Sequence, residues 1–91
     1  MATATLNTGL WVAGFDLAPG QQHHWVQDGQ TFGQVRWFMA HPISLQGVAR
    51  EIEVVRVFNL VRADGVRRLN VIVRNIGTQV AHYSIFFAQT N

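Results

Sequence analysis

The chain has no cysteine and no lysine. Without cysteine there are no disulfide staples, no Cys-ligated zinc and no thiol nucleophile. All seven basic residues are arginine: Arg36, Arg50, Arg56, Arg62, Arg67, Arg68 and Arg74. GC-rich coding produces such a set, and so does recognition of carboxylate or phosphate by a planar fork; both readings stay open. Five acids offset the arginines to a net charge of +2. That is too sparse for the basic patch with interleaved aromatics that nucleic-acid binding uses, so no nucleic-acid partner is expected.

Long apolar runs are also missing. None approaches the roughly 20 residues that span a bilayer as a helix, and no membrane span is expected. The opening residues, Met1 to Thr5, lack the basic and apolar regions of a secretory signal. The chain therefore reads as soluble, and as cytoplasmic or exported by a route that leaves no signal here.

Catalytic and metal-binding groups are few. Serine occurs only at Ser44 and Ser84, neither in a nucleophile context, and there is no Gly-rich phosphate loop. The carboxylates are Asp16, Asp28, Glu51, Glu53 and Asp64. Asp28 and Asp64 belong to turns, and Glu51 and Glu53 read as solvated residues at a strand start. His23 and His24 are adjacent, so in a strand they point to opposite faces and do not chelate together. His41 and His82 stand alone, and a metal site needs three or four converging ligands. Neither enzyme activity nor a cofactor or metal is expected.

What remains is a β-rich chain. At 91 residues, 48% of them hydrophobic, it makes one domain, residues 1–91, with a limited core. Chains of this kind gain stability by oligomerising. β-Branched and aromatic residues cluster in short runs between Gly, Pro, Asn and Asp, without sustained helical periodicity. Residues 10–17 alternate, placing Trp11, Ala13, Phe15 and Leu17 on one side. Pro19-Gly20 marks a turn, His23 to Gln27 a strand, and Asp28-Gly29 its end. Residues 33–41 alternate again, with Val35, Trp37 and Met39 opposed to Gln34, Arg36 and Phe38. Core burial is expected for Trp11 and Trp37. Pro42 ends this strand or places it on an edge, and Ser44 to Ala49 reads as a loop or a single helical turn.

Residues 51–89 predict three consecutive strands. Ala63-Asp64-Gly65 suits a three-residue hairpin loop with Gly in the left-handed region, which sets Arg62 opposite Val66. Val55, Val57 and Val61 then share a face with Leu69, Val71 and Val73. Read the same way, Asn75-Ile76-Gly77 pairs Arg74 with Thr78 and adds Tyr83, Ile85 and Phe87 to that face. The opposite face collects Arg56, Phe58, Leu60, Arg68, Asn70, Ile72, Arg74, His82, Ser84 and Phe86. Solvent-facing antiparallel sheets are polar on that side. Phe58, Ile72 and Phe86 therefore ask for a cover: another layer of the same chain, a subunit interface or a ligand.

The expected fold is all-β, a small antiparallel β-sandwich or jelly-roll-like domain of six to eight short strands. Two functions fit it. One is a non-catalytic, lectin-like module that binds a glycan or another polar ligand through Trp25 with His23, His24, Gln27 and Asp28, since an exposed indole offers a flat apolar area with a polar tip. Here the alternative is a Trp25 that plugs the end of a sandwich with its N–H bonded. The other function is a structural or assembly subunit acting through Phe58, Ile72 and Phe86, with Arg56, Arg74 and His82 around them. A homo-oligomer is expected in either case.

Overall fold

The structure, a computed structural model, describes residues 6–43 and 47–90. Six strands follow in chain order: β1 (Leu6–Leu17), β2 (Gln22–Asp28), β3 (Arg36–Pro42), β4 (Ile52–Val61), β5 (Arg67–Asn75) and β6 (Ala81–Thr90). There is no helix among the described residues. All pairings are antiparallel and make two three-stranded sheets, ordered β1–β6–β3 and β2–β5–β4. Of the expected loop at Ser44 to Ala49, residues 44–46 lie outside the described residues.

Local sequence explains the elements that form as expected. Pro19 and Gly20 occupy the centre of a turn closed by Gln21 N–H to Ala18 C=O at 3.0 Å. Gly20 has φ 77°, the left-handed third position that a type II turn needs. At the β4–β5 hairpin, Arg62 N–H donates to Val66 C=O at 2.8 Å, and Gly65 N–H donates to Arg62 C=O at 2.9 Å. Gly65 has φ 86°, and the Asp64 carboxylate accepts the Val66 N–H at 3.1 Å. Below this turn Val57 stands opposite Val71 and Val61 opposite Arg67, as its length dictates.

Three expectations are corrected. First, Asn75-Ile76-Gly77 is not a hairpin. Strand β5 stays between β2 and β4, while the chain crosses to the other sheet and enters β6 between β1 and β3. Arg74 stands opposite Gln22 and Glu53, not Thr78. The buried Asn75 amide holds this crossover: its Nδ2 donates to Leu17 C=O and Gln79 C=O, and its Oδ1 accepts the Gly77 N–H. Leu69, Val71 and Val73 still meet Tyr83 and Ile85, together with Leu17, in one buried cluster. They do so from two different sheets.

Second, bulges interrupt the alternation of two strands. A shift between Val54 and Arg56 leaves Val54, not Val55, opposite Val73 and packed against the core. In β1 there are shifts between Leu10 and Val12 and between Gly14 and Leu17. Trp11 and Val12 therefore both pack on the core, while Ala13 and Phe15 are exposed and Leu17 is buried. Asp16 takes φ 55° within the second bulge, a conformation that Asp tolerates better than most residues. Third, Trp37 is exposed, not in the core. Strand β3 alternates as expected, but its Trp37 and Met39 side is the outer one.

Candidate functional site

The residues expected to bind a ligand lie together on β2, a strand rather than a loop, and the pleat divides them. His23, Trp25 and Gln27 turn toward the core side. Gln27 Oε1 accepts from both Trp11 Nε1–H (3.0 Å) and Arg36 Nη1–H (2.8 Å), which makes it a brace between strands. His24 and Asp28 face outward. His24 Nε2 bonds Asn70 Oδ1 at 2.8 Å. Asp28 receives Arg68 Nε–H at 2.7 Å and Nη2–H at 3.2 Å, and Arg62 Nη1–H at 3.3 Å. These hydrogen bonds from Arg68, reinforced by its charge and that of Arg62, hold the Asp28 carboxyl below the usual carboxylate range; the same contact raises Arg68.

The residues expected at an interface also separate. Phe58 and Ile72 share the outer face of β2–β5–β4, where Arg56 stands opposite Ile72 and its guanidinium lies 4.3 Å from the centre of the Phe58 ring. The His24 ring also lies near Phe58, with ring centres 6.3 Å apart. Arg74, Glu53, Arg68 and Asp28 lie on this face too, together with the half-exposed Val26 and Leu60. Charged side chains are thus interspersed among its apolar groups, as on a solvent-facing sheet. Phe86 and His82 are elsewhere, on β6 in the other sheet.

That other outer face is the unusual one. Register places Leu10, Phe86 and Met39 in a single row across β1, β6 and β3. Thr8, Ala88 and Trp37 form the next row on one side, and Ala13, Ser84 and His41 on the other. Leu10 is 59% exposed, Trp37 52%, Met39 63% and Phe86 43%. None of the nine residues in these rows is Arg, Asp or Glu. Arg36, on the same strand as Trp37, points away and lies over the Phe87 ring. The pattern of β3 carried this signal, but with apolar residues on both of its sides the sequence does not say which side is outward.

A cleft of about 410 Å³ opens between the edge strands β1 and β2, lined by Ala13, Gly14, Phe15, His23, His24 and Trp25. Tyr83 lies behind it, fully buried. Its hydroxyl accepts Trp25 Nε1–H at 2.8 Å and bonds His23 Nδ1 at 2.6 Å. Trp25 thus has its N–H satisfied inside the fold, while its ring keeps partial access to solvent. Burial pushes the Tyr83 hydroxyl above its ordinary pKa, with the Trp25 hydrogen bond opposing that shift. Gly14 leaves room for Tyr83: a Cβ there would sit 2.2 Å from the phenol Cζ. Neither Gly14 nor Tyr83 stands out in the sequence as part of a site, because their contact spans 69 residues and depends on the first β1 bulge, between Leu10 and Val12.

No group of three or more His, Cys, Asp or Glu is placed to hold a metal ion among the described residues. No helix there is long and apolar enough to cross a membrane. Comparison with protein-family models, curated proteins and solved structures found no match.

Proposed function

We propose that this protein is a small β-sandwich assembly subunit that associates with a second copy of itself through the outer face of β1–β6–β3. The sandwich reading is supported by the shared cluster of Leu69, Val71, Val73, Tyr83 and Ile85 and by a shortest dimension of 17 Å, which suits two layers about 10 Å apart. The observation that carries the function is the Leu10–Phe86–Met39 row with its uncharged neighbours.

With about half of Leu10, Trp37, Met39 and Phe86 open, these four side chains alone expose on the order of 400 Å² of largely apolar surface, as much as a typical soluble monomer shows in its largest patch. Charge argues for the occupant. A charged partner would lose hydration against this face and gain no counter-charge, whereas an identical uncharged face loses nothing of the kind. Geometry argues the same way. Phe86 is on the central strand with one apolar residue on either side, so a two-fold axis in the contact plane through Phe86 lays the row onto its own copy, as an isologous interface requires.

Sedimentation of the full chain tests the reading. The wild type is expected to be a dimer, Phe86→Glu a monomer, because an unpaired charge is costly to bury there. Phe58→Glu, on the other outer face, leaves the dimer intact. A monomeric wild type refutes the proposal, and so does a dimer that survives Phe86→Glu.

A further inference from the structure

Independently of self-association, we infer that the cleft between β1 and β2 is a binding site for a neutral sugar ring, with His23 Nε2–H as its fixed donor. The direction of the hydrogen bonds follows from the donor inventory. The Trp25 indole only donates, so Tyr83 Oη accepts from it. Of the two neutral His23 tautomers, the one protonated on Nε2 lets Nδ1, 2.6 Å away, accept the Tyr83 hydroxyl proton, whereas the other leaves that buried proton without this acceptor. A neutral His23 consequently carries its own proton on Nε2, the ring nitrogen with no protein partner among the described residues, and that N–H is left to the cleft which His23 lines.

The rest of the cleft defines the class of ligand. No charged side chain lines it, so an ionic ligand would be desolvated without a counter-charge. Both walls are edge strands, and edge strands present unpaired main-chain N–H and C=O groups. A ligand matching these walls needs donors and acceptors in similar number, as hydroxyl groups supply, and a flat apolar side to lie against Trp25. A pyranose has both, and the volume of about 410 Å³ falls within the range of small-molecule sites. Of the residues singled out on β2, His23 and Trp25 serve this site by their side chains. His24, Gln27 and Asp28 do not, being bonded to Asn70, to Trp11 and Arg36, and to Arg68 and Arg62.

The test is a nitrogen-15 NMR titration of the full chain with methyl glucopyranoside, methyl galactopyranoside and N-acetylglucosamine. At least one is expected to shift the Trp25 indole and the Gly14 amide saturably. His23→Phe, which keeps a flat ring and removes the donor, is expected to weaken that binding by about three- to tenfold, the worth of one neutral hydrogen bond. Absence of saturable shifts with all three sugars overturns the inference, as does a His23→Phe variant that binds as tightly as the wild type. The tautomer is read on the wild type alone: a neutral His23 with its proton on Nδ1 also overturns it. None of these outcomes depends on the dimer, which sedimentation reports separately.

Discussion

Replacing Asn75 should damage this protein more than its position in an apparent turn suggests. Asn75 is fully buried, and its amide bonds three partners in two parts of the chain, the end of β1 and the crossover that follows β5. Nδ2 reaches Leu17 C=O at 2.9 Å and Gln79 C=O at 2.7 Å, and Oδ1 takes Gly77 N–H at 2.9 Å. Asn75→Ala removes all three. The Leu17 carbonyl is left buried without its bond, at a cost of about 1–3 kcal/mol, and the two partly buried groups add about 0.5–1 kcal/mol each. The expected loss is about 2–5 kcal/mol, a large share of the 5–15 kcal/mol typical of whole domains, or roughly 10–30 °C in Tm for a chain this size. Urea unfolding followed by tryptophan fluorescence measures it.

Asn75→Asp sharpens the test because it keeps the shape. One carboxylate oxygen would then face two carbonyl oxygens in a buried site, which raises the folded-state pKa of that carboxyl. When protonated it donates to one of them. The variant is therefore most stable below the unfolded carboxyl pKa near 4 and loses stability as pH rises through the raised folded value. A loss below about 1 kcal/mol in Asn75→Ala, or an Asn75→Asp variant indifferent to pH between about 4 and 7, would refute the role given to this amide.

Three further outcomes follow from the same structure. Gly14→Ala drives a methyl group into the buried Tyr83 ring and is expected to cost about 1–3 kcal/mol; equal urea midpoints for variant and wild type would contradict the close approach. Asp28, held down by Arg68, contributes stability above the unfolded carboxyl pKa near 4 that is lost as pH falls through its lower folded value. NMR titration should show it titrating late on acidification and returning toward the usual range in Arg68→Gln. Tyr83 is the only tyrosine, so tyrosinate absorbance reports on it alone. With its folded pKa raised, it should ionise later on alkalinisation than a free phenol, and stability should fall as pH rises from the unfolded phenol value near 10 through the raised folded one, whereas free-phenol titration in the folded state would contradict its burial.

The Asn75 amide also shows where sequence reasoning stops. Two triplets, Ala63-Asp64-Gly65 and Asn75-Ile76-Gly77, look alike as turn chemistry. The first acts locally: Asp64 bonds Val66, Gly65 adopts positive φ, and the register of β4 against β5 follows. The second acts at long range, since one of its partners, Leu17, is 58 residues away, and no local pattern announces that. Equal parity of apolar residues on β5 and β6 fits one shared sheet as well as two sheets whose inner faces meet. Burial of Leu69, Val71, Val73, Tyr83 and Ile85 was therefore legible, and their division between sheets was not. The same ambiguity moved the exposed apolar face. Parity groups Phe58 and Ile72 with Phe86 only if β6 is the neighbour of β5. Once β6 lies between β1 and β3, Phe86 joins Leu10 and Met39, residues whose strands the sequence could delimit but not pair. Phe58, meanwhile, finds Arg56 and His24 on its own sheet. Strand pairing, more than strand assignment, decides which apolar residues this chain leaves in need of a partner.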